Sequence, residues 1–300
     1  MQSTVNTIFF RHKVKTLLII SWLTLVFSLT DSVQIIIEYG AFIFLGVLGA
    51  IFANSTGAGG GVIFVPFFNQ LSLSNEAVVA TSFAIQCCGM TAGAISWYKY
   101  YSFNRTKPDG ATWSHLPSSL FFTVPFSLVG LWVAQYGLHD YQSNMHDSLH
   151  LGFGIFSILL AIAIYASIPL MKAVPVRFIV TNLDKCFLAL ISFIGGGVTA
   201  WLSVGVGELI AVYLILRGAN IASSIAVAVI LSAFTVWAGI TFHIVISQAI
   251  YWHILLFSGA GAIIGGLLAK HLVLKVSVIK LKIFFASWVM IMGVAGLPIY

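Results

Sequence analysis

Charge is what this sequence has least of. Only 7% of its 300 residues are charged, 14 Lys and Arg against 8 Asp and Glu. Soluble domains carry roughly 25%, so this chain cannot build an ordinary water-facing surface. Cysteine is also scarce. Cys87, Cys88 and Cys186 fit no metal or redox spacing, and the vicinal pair reads as small apolar packing. The apolar stretches contain no paired carboxylates, no Ser/His/Asp set and no HExxH, which argues against a membrane-embedded enzyme. There is no ATP-binding motif, so pumping would need a gradient or a separate ATPase, and no cofactor is implied. His146-x-x-x-His150 with Asp147 has helical ligand spacing. It lies in a polar loop without a stronger motif and is not read as a metal site.

What fills the sequence instead is apolar. It is 60% hydrophobic, with a mean hydropathy of +1.04. The runs are long and unbroken, where a barrel would alternate over segments of about ten residues. The class is all-α, a polytopic membrane protein. The net charge of +6 does not point to nucleic acid, because the Lys and Arg sit in connections and at segment ends.

In order, Arg11, Lys13 and Lys15 precede an apolar run over 16–29. It is read as an extra, uncleaved N-terminal helix, since Ser28-Leu29-Thr30 makes a poor cleavage site. A helix is expected over 32–53, then a glycine break and an arm over 62–71. Ser74 or Asn75 should cap a helix running to 98, with Glu76 in its first turn. Gly89-x-x-x-Gly93 within it marks close helix packing. Spans follow at 114–138 and 149–171, then a basic connection. The second half runs 186–202, a break, an arm to 216, then 220–247, 249–269 and a last span ending near 299. The expected division is 1–31 as N-terminal helix, 32–171 and 186–300 as transmembrane repeats, and 172–185 as linker.

The stretch from Asn54 through Ser55-Thr56-Gly57-Ala58-Gly59-Gly60-Gly61 to Pro66 organises this plan. Three consecutive glycines and a proline weaken any helix running straight through. A weaker copy appears at Trp201-Leu202-Ser203-Val204-Gly205-Val206-Gly207-Glu208. Gly57, Gly59 and Gly60 stand opposite Gly205, Gly207 and Glu208 at one offset, as does Ala80 opposite Ala228. Paired glycine-interrupted segments point to a transporter binding site. If the basic segments 99–107, 172–185 and 270–282 are cytoplasmic, each break must be a hairpin and the two repeats are inverted.

The Gly-Ala-Gly-Gly-Gly-Val-Ile-Phe-Val-Pro run over 57–66, followed by Ala77-Val78-Val79-Ala80-Thr81-Ser82, resembles the TauE/SafE-type sulfite exporter family. The copy at Gly205-Val206-Gly207-Glu208, with Tyr213-Leu214, is similar to its second repeat. Here Glu208 and Leu209 replace two glycines and no proline follows. The resemblance covers nearly the whole chain after about Val33. It implies transport of sulfite, thiosulfate or sulfonates across the cell (inner) membrane.

Glycines at a tip let backbone N–H groups approach an anion, and a half-helix N-terminus attracts it. The candidate substrate contacts are therefore Gly57, Gly59, Gly60, Gly61, Gly205 and Gly207. Asn54, Ser55, Thr56, Thr81, Ser82, Gln86 and Ser203 would add neutral donors. The glycines could instead serve only close packing, and the hydroxyls could bond back to their own helices. Glu208 has three readings: it caps the second half-helix, carries a coupling proton, or reaches water at the tip. His115, His243 and His253 are expected at interfaces beside aromatic residues, and Arg217 to snorkel. An anion channel, or a membrane subunit without transport of its own, is the alternative function. Oligomeric state, a homo-oligomer included, and the direction of transport stay open.

Overall fold

The structure is a computed structural model. It describes residues 16–71, 73–138, 146–170, 179–295 and 297. Every element among them is helical. Contacts divide the chain into residues 1–41 and 42–300. The first unit holds α1 (Thr16–Phe27) and α2 (Ser32–Tyr39), bent 111° to one another. The second unit holds two runs of five helices. The first run is α3 (Phe42–Thr56), α4 (Gly61–Asn69), α5 (Asn75–Asn104), α6 (Leu116–Trp132) and α7 (His146–Leu170). The second is α8 (Asn182–Leu202), α9 (Val206–Leu216), α10 (Ile221–Phe242), α11 (Trp252–Lys275) and α12 (Val278–Ala295). Among the described residues, five stretches are long and apolar enough to cross a membrane, or six if the bent α1–α2 pair counts as one.

The helices begin where their caps dictate. Ser74 Oγ accepts from Ala77 N at 3.3 Å to start α5, and Asn220 Oδ1 accepts from Ala222 N at 2.9 Å to start α10. Thr181 and Asp184 form a reciprocal capping box at α8. Three expectations need correction. The helix expected over 32–53 is two, α2 and α3, separated at Gly40 and Ala41. The helix from Asn75 continues to Asn104, six residues beyond 98. Lys280 and Lys282 lie inside α12, not in a connection before it.

Both breaks fold the chain back on itself. At the open end of the first, the ring of Phe42 meets Phe67 and Phe68 at 6.1 and 6.3 Å; further in, Gly49 faces Phe64. α3 and α4 are therefore the legs of a hairpin. In the second, Phe187 meets Tyr213 at 6.1 Å and Gly195 packs on Val206, so α8 and α9 are legs too. The base of this second hairpin is locked. Asp184 accepts from Arg217 Nε and from Tyr213 Oη, each at 2.7 Å, and from Thr181 Oγ1 at 2.6 Å. Arg217 thus pairs with Asp184 rather than simply snorkelling.

Packing in the two runs follows one pattern. α11 lies along α3 and α5; α6 lies along α8 and α10. Each of these pairs is parallel: Gly46 packs on Ser258 and Gly265 on Val47, while Gly130 packs on Phe193 and Ser127 bonds Thr235. The central pair, α5 and α10, is antiparallel, with Phe83 against His243 and Trp237 bonded to Thr91. Glycines set these close approaches. Gly89 sits against Ala50 and Ala262, and a Cβ on Gly93 would strike Asn54.

Candidate functional site

The two hairpin tips touch beside the central pair, α5 and α10. Gly57 turns the first tip at φ +83° and Gly205 the second at φ +144°, conformations that favour glycine. They occupy the matched positions of the two sequence copies. A Cβ on Gly61 would collide with the Ser203 carbonyl oxygen, and one on Gly207 with that of Gly57. Backbone therefore meets backbone, which any side chain there would prevent.

Glu208 joins the tips. Its Oε1 accepts from Gly59 N in the first at 2.5 Å, and its Oε2 from Gly205 N in the second at 2.9 Å. The side chain is 2% exposed. The capping reading is thus what the geometry displays, extended to the opposite tip, and the reading in which Glu208 reaches water is overturned. Gln86, projecting from α5, closes the other side. Its Oε1 accepts from Gly60 N at 2.8 Å, and its Nε2 donates to Ser203 O at 3.0 Å and Ser203 Oγ at 2.8 Å. Ser82 Oγ completes the cluster, accepting from Gln86 Nε2 at 3.1 Å and Ser203 Oγ at 2.9 Å. One tip-directed partner escapes the motifs: Thr199 Oγ1, which accepts from Val206 N at 3.0 Å.

The remaining candidates divide. Ser55 and Thr56 bond back to Phe52 O and line a small pocket of about 30 Å³ beside Glu208. Asn54 turns away, donating to Ala50 O and Gly89 O, while Trp97 holds its carbonyl. Thr81 accepts from Tyr251 N at the start of α11. Neither reaches the tips. The pocket's other charged wall is Lys282 of α12, which no motif indicated. Ser55 and Thr56 also edge a larger, mainly apolar pocket of about 360 Å³, walled by Phe52, Phe67, Phe284 and Trp288.

His115 and His243 are buried, not at the surface as expected of interfacial residues; His253 is exposed. His115 Nε2 lies 2.8 Å from Ser223 Oγ. His243 packs at a tilt against Phe83, and its Nε2 lies 3.4 Å from Gln135 Nε2. The His146, Asp147 and His150 side chains lie outside those described. Among the described residues no three His, Cys, Asp or Glu side chains gather as metal ligands would.

Comparison with curated proteins and with solved structures gives no match. The family model described as "Sulfite exporter TauE/SafE" matches residues 42–296, which spans both hairpins and every helix of the second unit. A family of membrane transporters accords with the two broken, glycine-turned hairpins and with the apolar spans around them. This chain belongs to the sulfite exporter TauE/SafE family.

Proposed function

We propose that the chain is a secondary transporter of small sulfur-containing anions: sulfite, thiosulfate or an organosulfonate. The anion binds where the hairpin tips meet, on the N–H groups of Gly59, Gly60 and Gly205. Gly57, Gly61 and Gly207 permit the approach, and Ser55, Thr56, Ser82, Gln86 and Ser203 supply neutral donors. Asn54 and Thr81 support this cradle from behind. The observation that carries the reading is Glu208, a carboxylate resting on one backbone amide from each tip. Two amides that hold a carboxylate have the donor geometry an oxyanion needs.

The transport cycle turns on displacing that resident carboxylate. A proton on Glu208 removes its charge, frees the amides and lets the substrate oxygens take them. Leaving, the substrate returns the amides to the ionised carboxylate. The repeats, 32–171 and 186–300 joined by 172–185, are inverted. In support, the second hairpin's base lies near the starts of α6 and α10: Lys185 lies over the Phe122 ring and His115 bonds Ser223. Lys270 over Tyr100 brings the end of α11 to the end of α5, and Trp113 links that end of α5 to the start of α6. The first hairpin opens toward the start of α5 instead. With the basic connections in the cytoplasm, one hairpin enters from each side of the cell's inner membrane. A larger apolar pocket adjoining Ser55 and Thr56 suits an anion bearing a short carbon chain.

Purified protein in liposomes tests the reading. Uptake of labelled sulfite or methanesulfonate should saturate with concentration and be blocked by an excess of the unlabelled anion. Non-saturating current would favour a channel instead, and no flux of any sulfur anion would overturn the proposal.

A further inference from the structure

Lys282 occupies an unusual place. It lies in the first turns of α12, a helix outside both glycine copies, within an otherwise apolar segment. Its side chain is half-buried and walls the same pocket as Ser55, Thr56 and Glu208. The rest of that wall is mainly aliphatic, from Ala211, Val212, Ile215 and Ile225. A Lys and a Glu are thus the two charged side chains that line this pocket. The neighbouring Lys280 is exposed. Charged groups inside membrane segments are rare and face cavities or partners when they occur.

We propose that Lys282 is the counter-charge of the transported anion, a binding residue contributed by the last helix of the second half. The inference rests on the transporter reading above and deepens it. Charge balance gives it content. With the site empty, the ammonium of Lys282 offsets the Glu208 carboxylate. With Glu208 protonated and a monovalent anion bound, the same ammonium offsets the anion. The pocket is neutral in both states, so each turnover carries one proton with one monovalent anion and moves no net charge. An ammonium suits this role because it is a compact charge with three freely rotating donors, able to follow oxygens of different spacing. A sulfonate or hydrogen sulfite satisfies the balance. Thiosulfate and fully ionised sulfite, as divalent anions, do not, which narrows the substrates proposed above to the monovalent ones.

The test is equilibrium binding of labelled methanesulfonate to the full chain in lipid nanodiscs. Wild type is compared with Lys282→Gln, Lys282→Arg and Lys280→Gln, after the melting temperature of each has been measured without ligand. Loss of a charge-assisted contact should weaken binding about tenfold or more in Lys282→Gln. Lys282→Arg should restore it to within about threefold, and Lys280→Gln should match wild type. Lys282→Arg keeps the test decisive if Lys282→Gln melts early, since it preserves charge and must bind. The inference is overturned if Lys282→Gln binds as wild type does, if Lys280→Gln loses as much, or if a folded Lys282→Arg fails to bind. Binding retained in Lys282→Gln would leave the transporter reading intact. Absence of binding to wild type would remove that reading, and this inference with it.

Discussion

Glu208 concentrates the chemistry of the site into one side chain. Its two oxygens satisfy amides from segments that lie 149 residues apart in the sequence in one case and three in the other. A buried amide left without an acceptor costs about 1–3 kcal/mol. Glu208→Ala strips two amides at once, so it should destabilise the folded protein by about 2 kcal/mol or more, read as a lower melting temperature in detergent. Glu208→Gln keeps one acceptor oxygen and nearly the same shape. It should therefore fold, and its uptake should no longer respond to an imposed pH gradient that drives the wild type. A Glu208→Gln protein whose uptake still follows the gradient would show that the proton is carried elsewhere.

At the scale of elements, the paired hairpins depend on the absence of side chains where they touch. At Gly61 and Gly207 an opposing carbonyl oxygen leaves no room for a methyl group. The opposing carbonyls are backbone and cannot swing aside, and at Gly207 the Ser232 hydroxyl is as close. Gly61→Ala and Gly207→Ala should each separate the tips and abolish saturable uptake. Ala at Gly152, where a Cβ would meet nothing within 4 Å, should be harmless. Equal uptake by Gly61→Ala and wild type would mean the tips need not touch. The base of the second hairpin is fixed by a different device, the Asp184 cluster with Thr181, Tyr213 and Arg217. The first hairpin is closed at its base by a phenylalanine cluster instead, with Phe42 edge-on to Phe67 and tilted against Phe68. The two elements share a tip but not a foundation.

Over the whole molecule, what the sequence makes legible is what depends on local chain chemistry. Glycine runs show where the chain turns, because only glycine meets both the positive φ at Gly57 and Gly205 and the backbone contact at Gly61. Ser74 and Asn220 mark helix starts because capping is decided within three residues. What depends on rotation about a helix is less legible. Asn54, Ser55 and Thr56 are consecutive and polar, yet Asn54 faces α5 while the other two face the pocket. Thr81 and Ser82 divide in the same way. Lys282 could not be found from motifs, since it reaches the site through packing of a distant segment, and Thr199 stands just before the second glycine copy, seven residues from the amide it accepts from. The break at Gly40 is hidden for another reason: apolar sequence continues on both sides of it, so hydropathy carries no signal.

The central claim is that a substrate anion takes the amides now held by the Glu208 carboxylate. Nitrogen-15 labelling of glycine alone, in the full chain in nanodiscs, reads those amides directly. On titration with methanesulfonate, the Gly59 and Gly205 resonances should move together and saturate with the concentration that half-saturates uptake. Glycines remote from the tips, such as Gly152, should stay in place. Saturable binding that leaves Gly59 and Gly205 unmoved would contradict the account.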